Sequence, residues 1–248
     1  MLLSLWPHYQ WCMVRLFFLL LVLLFLPVRD TLTRGVVVSS NSWVPESSGH
    51  AAECRRLYEE MCADKDVNYK AFERAIEGSY LIDRKNKDIL TLIDFSKPST
   101  EERFYVFDLG RRKILFSSVV SHGKNSGGKY ATSFSNENGS HKSSLGFYVT
   151  ENTYQGRNGY SLVLNGLEKG INDRAKERAI VIHGAAYSNP SVALSTGRLG
   201  RSFGCPALPL DLSRPIINTI KEGTLLYIYA EDHTYLSQST IFSDKMER

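Results

Sequence analysis

From Asp88 onward the hydrophobic pattern of this chain has a period of two. The stretches 89–94, 103–108 and 113–120 are rich in Ile, Leu, Val, Phe and Tyr, and Leu109-Gly110-Arg111-Arg112 makes a tight connection between the last two. A period of two buries one face of an extended strand. Four more strands are expected at 146–149, 161–164, 179–182 and 224–229, and one helix at about 212–220. Many short strands at close spacing build an antiparallel sandwich or barrel. The class expected is therefore mainly β, with a single helix after a glycine-rich turn at 200–206. A chain of 248 residues, 43% hydrophobic and 23% charged, is long enough for one such domain with additions.

The additions precede it. Residues 16–26 form an unbroken apolar run with Arg15 before it and Pro27 after it. That is the layout of an export signal. The run is short against the ~20 residues of a membrane span, but counting back through Val14 and Trp11 lengthens it, so an uncleaved membrane anchor stays open. The expected organisation is a signal peptide or membrane anchor at 1–40, a polar linker and two helices at 41–80, and the main domain at 81–248. The protein is expected to be exported, to the periplasm or cell envelope. The first helix groups Cys54, Leu57 and Met61 on one face. The second starts at the capping residue Asn68, carries Phe72, Ala75 and Ile76, and stops at Gly78. On one helix, Cys54 and Cys62 stand ~12 Å apart, beyond disulfide reach, and read as small core residues.

The net charge of +4 is mild and no basic stripe interleaved with aromatics stands out, so nucleic acid is not implied as a partner. Cysteine and histidine show no Cys-x-x-Cys or His-x-x-x-His spacing, so no metal site is expected. A long polar segment, 121–144, reads as a functional loop.

The chemistry concentrates at Cys205, in Gly200-Arg201-Ser202-Phe203-Gly204-Cys205-Pro206. Gly200 and Gly204 allow a sharp bend with positive φ, and Pro206 fixes the chain after it. Such a turn presents a thiol and brings backbone N–H groups beside it, where they can face a developing oxyanion. An unpaired thiol in an exported protein is a liability unless it has a use. Its expected partner is His183, at the end of Ala179-Ile180-Val181-Ile182-His183-Gly184. An imidazole with an ordinary pKa of ~6.5 suits proton shuttling. His122, also at a strand end and before a glycine, competes for that role. Arg201 fits either a carboxylate clamp or a solvated loop arginine.

These residues resemble the L,D-transpeptidases of the YkuD type, in the branch that carries Gly-Arg-Ser-x-Gly-Cys-Pro at the nucleophile. The likeness extends over Ser143-Ser144-Leu145-Gly146-Phe147-Tyr148, Thr153-Tyr154-Gln155-Gly156, Gly159-Tyr160-Ser161-Leu162 and Gly166-Leu167-Glu168-Lys169-Gly170-Ile171-Asn172-Asp173. It implies a YkuD-like β-sandwich or barrel catalytic domain and peptidoglycan stem peptides as substrate. Cys205 would attack the carbonyl of the third, diamino residue, expel the terminal D-alanine, and pass the acyl group from the thioester to an amine of another stem. Hydrolysis of the same thioester would make the protein an L,D-carboxypeptidase. A degenerate site would leave a non-catalytic wall-binding module. By position His183 is the base, Gly204 and Cys205 supply oxyanion N–H groups with Ser202 beside them, and Gly146 and Tyr148 line the acyl groove. Arg201, Phe203 and Tyr187 complete the substrate wall. No cofactor is implied, and carbapenem β-lactams are expected as covalent inhibitors. The chain departs from the wider family at Phe203, where His is usual, and at Pro206-Ala207, where an apolar residue and Arg are usual. The hydrogen bonds that support the turn must differ accordingly, and Gly184 leaves a backbone carbonyl as the expected orienter of His183.

Overall fold

The computed structural model describes residues 47–84 and 86–243. The apolar run at 16–26 and the segment assigned to export or anchoring lie outside the described residues. No helix among the described residues is long and apolar enough to cross a membrane.

Two helices come first, α1 (Ser47–Cys62) and α2 (Tyr69–Leu81). The Asn68 side chain accepts hydrogen bonds from the N–H groups of Lys70 and Ala71, satisfying donors that the first turn leaves open. Gly78 does not stop α2, which runs one turn further. A Cβ on Gly78 would sit 2.0 Å from the ring of Phe147, so glycine is needed there for close packing of helix on sheet. Cys54 and Cys62 are free and buried in the core shared by helices and sheet.

Eight strands follow: β1 (Ile89–Asp94), β2 (Phe104–Asp108), β3 (Lys113–Ser118), β4 (Gly146–Gly156), β5 (Gly159–Gly166), β6 (Val181–Gly184), β7 (Ala207–Leu208) and β8 (Leu225–Tyr229). They form one sheet in the order β3-β2-β1-β8-β4-β5-β6-β7. The fold is mainly β, with a mixed sheet: β1 runs parallel to β8 and β6 parallel to β7, while the other pairs are antiparallel. The parallel pairs arise because β8 and β7 are reached by long returns. A helix α4 (Leu210–Ile220) makes the crossover between them, burying Ile216, Ile217 and Ile220 completely. Each such side chain stabilises the fold by roughly 1.5–3 kcal/mol relative to exposure.

The two edges of the sheet meet. Beyond β3 the chain bridges to β7, with Ser121 N–H donating to the Ala207 carbonyl at 2.8 Å, and Gly123 bridges to Ser202. The sheet thus curls into a nearly closed barrel whose seam is the glycine-rich turn. The 121–144 segment lies along this seam. Short elements complete the chain: a 3₁₀ turn Ala186–Ser188, α3 (Pro190–Thr196), α5 (His233–Gln238) and α6 (Thr240–Ser243).

Candidate active site

The turn that carries Cys205 is built by Ser202. Its hydroxyl accepts from the Gly204 N–H at 3.0 Å and donates to the Cys205 carbonyl at 2.6 Å. Gly204 takes φ of +126°, as expected. A side chain there would also strike Ile180 Cδ1 and the Lys142 carbonyl at 2.9 Å. Gly200 serves differently from expectation. It has no positive φ; a Cβ would fall 2.5 Å from that of Tyr187, so close approach requires glycine.

Cys205 is 8% exposed. Its thiol donates to the Ala179 carbonyl at 3.6 Å and accepts from the Val181 N–H at 3.5 Å. Burial pushes the thiol's pKa up, while the Val181 N–H and the nearby Arg178 guanidinium pull it down. The sulfur is therefore protonated at rest and docked against the entry to β6.

His183 lies in the adjoining strand. It pairs with Ala207 in the β6–β7 register, which makes it a diagonal neighbour of Cys205. The ring is 5% exposed and its Nδ1 meets the Gly184 carbonyl at 3.0 Å. A carbonyl only accepts, so Nδ1 carries the proton and Nε2 is left with its lone pair. The orienting carbonyl is the neighbour's own. Burial lowers the pKa of His183 and keeps the ring neutral. The thiol and the imidazole make no hydrogen bond in this resting arrangement; proton transfer requires the Cys205 side chain to turn from Ala179 toward His183. Gly184 is required because a Cβ would lie 2.4 Å from Ser213 Oγ of α4.

The competitor, His122, is used up by the structure. Its Nδ1 accepts from the buried Arg103 guanidinium at 2.8 Å, and its Nε2 faces the Gly127 carbonyl at 3.4 Å. Burial first, then the Arg103 charge, push its pKa down to about 4. It is a neutral pin in the seam.

The remaining predicted residues divide. Tyr187 borders the turn; burial and then the neighbouring Cys205 raise its phenol to about 12. Phe203 is 66% exposed, stacks on His141 with centroids 4.5 Å apart, and carries the Lys124 ammonium 4.7 Å from its ring. Arg201 donates to the carbonyls of Lys124 and Gly127, at 3.1 and 2.9 Å, tying the long loop to the turn.

Four expected roles need correction. Gly146 and Tyr148 do not line a groove. Tyr148 is fully buried, its hydroxyl donating to the Ser144 carbonyl, and Gly146 is pressed against Glu168 Oε1, 2.2 Å from where a Cβ would stand. The Gly204 N–H is spent on Ser202 Oγ and the Ser202 hydroxyl proton on the Cys205 carbonyl, so neither is open to an oxyanion. The Cys205 N–H faces its own sulfur and makes no hydrogen bond to another described residue.

Arg178, Ala179 and Val181 touch or face the thiol and were not singled out by the sequence. Arg178 sits in a charged run, Arg174-Ala175-Lys176-Glu177-Arg178, that reads as a solvated face. Ala179 adopts φ of +52°, which composition does not announce.

Residues 63–229 match the family described as the L,D-transpeptidase catalytic domain. No curated protein matches the chain. Among solved structures, the similar ones include an L,D-transpeptidase from Mycobacterium smegmatis, 15% identical, covering 58% of this chain and 59% of that one with a TM-score of 0.36. Another is an L,D-transpeptidase solved in complex with imipenem, 14% identical, covering 57% and 59% with a TM-score of 0.36. A third, from Xylanimonas cellulosilytica, is 12% identical, covering 73% and 93% with a TM-score of 0.33. The match spans less than two thirds of the first two proteins' length.

Proposed function

This chain belongs to the L,D-transpeptidase catalytic-domain family, and from that premise we propose that it is an exported cysteine acyltransferase acting on peptidoglycan stem peptides, with Cys205 as nucleophile and His183 as base. The observation that carries the assignment is the tautomer of His183: the Gly184 carbonyl holds the proton on Nδ1, so Nε2 is an acceptor, on a residue whose β7 partner Ala207 lies two positions after Cys205.

The proposed steps are these. The Cys205 side chain turns off the Ala179 carbonyl and its proton passes to His183 Nε2. The sulfur bonds to the carbonyl carbon of the third stem residue, and the charge gathering on oxygen is met by the Cys205 N–H. The carbon–nitrogen bond to D-alanine then breaks. The leaving amine takes the proton back from Nε2, and a thioester remains. An amine of a second stem attacks that thioester, giving its proton to Nε2 of His183; the carbon–sulfur bond breaks and the proton returns to the Cys205 thiolate. The apolar N-terminal run fits delivery to the envelope, where this substrate lies, and carbapenems fit the nucleophile as acylating inhibitors.

Intact-mass measurement of the full-length protein after incubation with a carbapenem tests the assignment. The wild-type chain gains one adduct, Cys205→Ala gains none, and His183→Ala acylates at least ~100-fold more slowly. Undiminished labelling of the Cys205 variant overturns the proposal. Mass spectrometry of muropeptide products separates transfer from hydrolysis: crosslinked dimers for the first, trimmed monomers for the second.

A further inference from the structure

The Arg178 side chain makes four hydrogen bonds beside the nucleophile turn. Its guanidinium donates from Nη1 to the Ser135 carbonyl at 2.8 Å and to the Ser144 hydroxyl, and from Nη2 to the Lys142 carbonyl at 2.6 Å and the Ser140 hydroxyl at 3.3 Å. Four anchors on 135–144 hold the head of this side chain in one place. That place adjoins the nucleophile turn: Nη2 stands 3.5 Å from where a Cβ on Gly204 would be. No carboxylate is among its hydrogen-bond partners. A half-buried cation is thus held by neutral groups next to a buried thiol, which is the reverse of a structural ion pair.

The geometry points to Arg178 as the residue that positions a fixed positive charge for the thiolate of Cys205, coupling ionisation of the nucleophile to the closed arrangement of the 135–144 loop. This rests on Cys205 being the nucleophile. The same segment serves both states of the sulfur. In the thiol state, S–H donates to the Ala179 carbonyl, which the left-handed backbone of Ala179 aims at it. In the thiolate state that contact would turn repulsive, while the Val181 N–H and the Arg178 charge, both already in place, favour the anion. The carbonyl therefore favours the resting thiol and does not draw the sulfur back once its proton has passed to His183. Strained backbone of this kind is retained where the surroundings hold it, as Arg178 does one residue away. The favourable effect of Arg178 on the thiol's pKa agrees with this arrangement.

The test is the pH profile of Cys205 alkylation by iodoacetamide, read site by site through peptide mass mapping of the full-length protein in mild detergent. Cys54 and Cys62, buried and raised to about 11 and about 12, serve as slow internal references. Arg178→Gln is expected to shift the apparent pKa of Cys205 up by about one unit, seen as a ~10-fold loss of alkylation rate at neutral pH with the high-pH limit retained. Arg174→Gln, which removes an exposed charge of the same run that is paired with Glu177, is expected to change the neutral-pH rate less than ~2-fold. An unshifted profile in Arg178→Gln, or an equal shift in Arg174→Gln, overturns the proposal. If Arg178→Gln fails to fold by circular dichroism, Arg178→Lys takes its place: its shorter reach is expected to slow alkylation at least ~3-fold at neutral pH, and a wild-type rate overturns the proposal. Failure of the nucleophile assignment reads differently, as a wild-type chain that alkylates with the expected profile but is not acylated by a carbapenem.

Discussion

Acid should unfold this protein through His122 before it reaches most carboxylates. In the folded state Nδ1 of this ring accepts from Arg103, which can only donate, and Nε2–H donates to the Gly127 carbonyl. A second proton would place an N–H against the Arg103 guanidinium. Arg103 is itself fully buried, donates to the carbonyls of Val120 and Lys97, and has its pKa pushed down to about 9 by burial. Arg201 adds a second nearby positive charge. The ring's pKa falls from its ordinary 6.5 to about 4. The unfolded chain therefore binds this proton more readily than the folded one, and stability rises with pH between those values. The contribution is whole above 6.5 and is lost as pH falls toward 4. Linkage over that interval amounts to about 2 kcal/mol lost by pH 5 and about 3 kcal/mol by pH 4, a sizeable part of the ~5–15 kcal/mol that holds a domain together. Urea unfolding of the full-length chain at a series of pH values measures it. Far-UV circular dichroism is the suitable signal, because Trp6, Trp11 and Trp43 all precede the described residues. His122→Asn is the control, since its amide can accept from Arg103 and donate to Gly127 without titrating. The gap between wild type and this variant should shrink or invert by about 2 kcal/mol from pH 7 to pH 5. Parallel curves would refute the reasoning and return His122 to the list of candidate bases.

Two further substitutions probe the scaffold. Gly184→Ala should lower stability by about 1–3 kcal/mol, because its Cβ would meet Ser213 Oγ at 2.4 Å; Ser213→Gly in the same chain should recover part of the loss in melting temperature, and no recovery would argue against this contact as the cause. Glu168→Ala should cost about 3 kcal/mol or more, since its carboxylate takes hydrogen bonds from the Phe147 N–H, the Tyr235 hydroxyl and the Ser239 hydroxyl, all buried. Limited proteolysis should then cleave first within 233–243; cleavage unchanged from wild type would show that this carboxylate does not hold the C-terminal helices.

The sequence was most legible where one periodicity acts alone. β1 occupies the residues at which the period of two begins, and Asn68 caps α2 as its side chain dictates. Pairing was illegible, because β8 reaches β1 across most of the domain and no local pattern encodes a partner. β7 is two residues long and exists only because its neighbours need hydrogen bonds, so it has no period to detect. In the candidate site, residue type and turn chemistry single out Cys205 and His183, and the β6–β7 register sets His183 opposite Ala207, two residues after Cys205. Tyr148 could not be excluded from the groove, since a tyrosine on a strand points to either face according to a register the sequence does not state. Arg178 was hidden for the opposite reason. Its environment is assembled by a loop more than thirty residues away in the chain, and only that fold turns one arginine of a charged run into a neighbour of the thiol.

The departures at Phe203 and Pro206 bear on whether this turn works as a nucleophile turn at all. A side chain at position 203 cannot be what shapes it, because Phe203 points outward and is 66% exposed, stacked on His141. The bend is closed from inside by Ser202, whose one hydroxyl accepts from Gly204 and donates to Cys205, while Ser143 Oγ donates to the Gly204 carbonyl at 3.0 Å. Proline at 206 has no N–H, so the donors beside the sulfur are the Val181 N–H and the N–H of Cys205 itself. Both departures thus fall on positions the turn does not use for its own support. What the histidine of the wider family gives way to is an aromatic platform, Phe203 with His141 and Lys124, set at the rim two residues from the sulfur. The change is one of surface chemistry for whatever approaches the thiol, and the internal hydrogen bonds that aim the thiol are untouched by it.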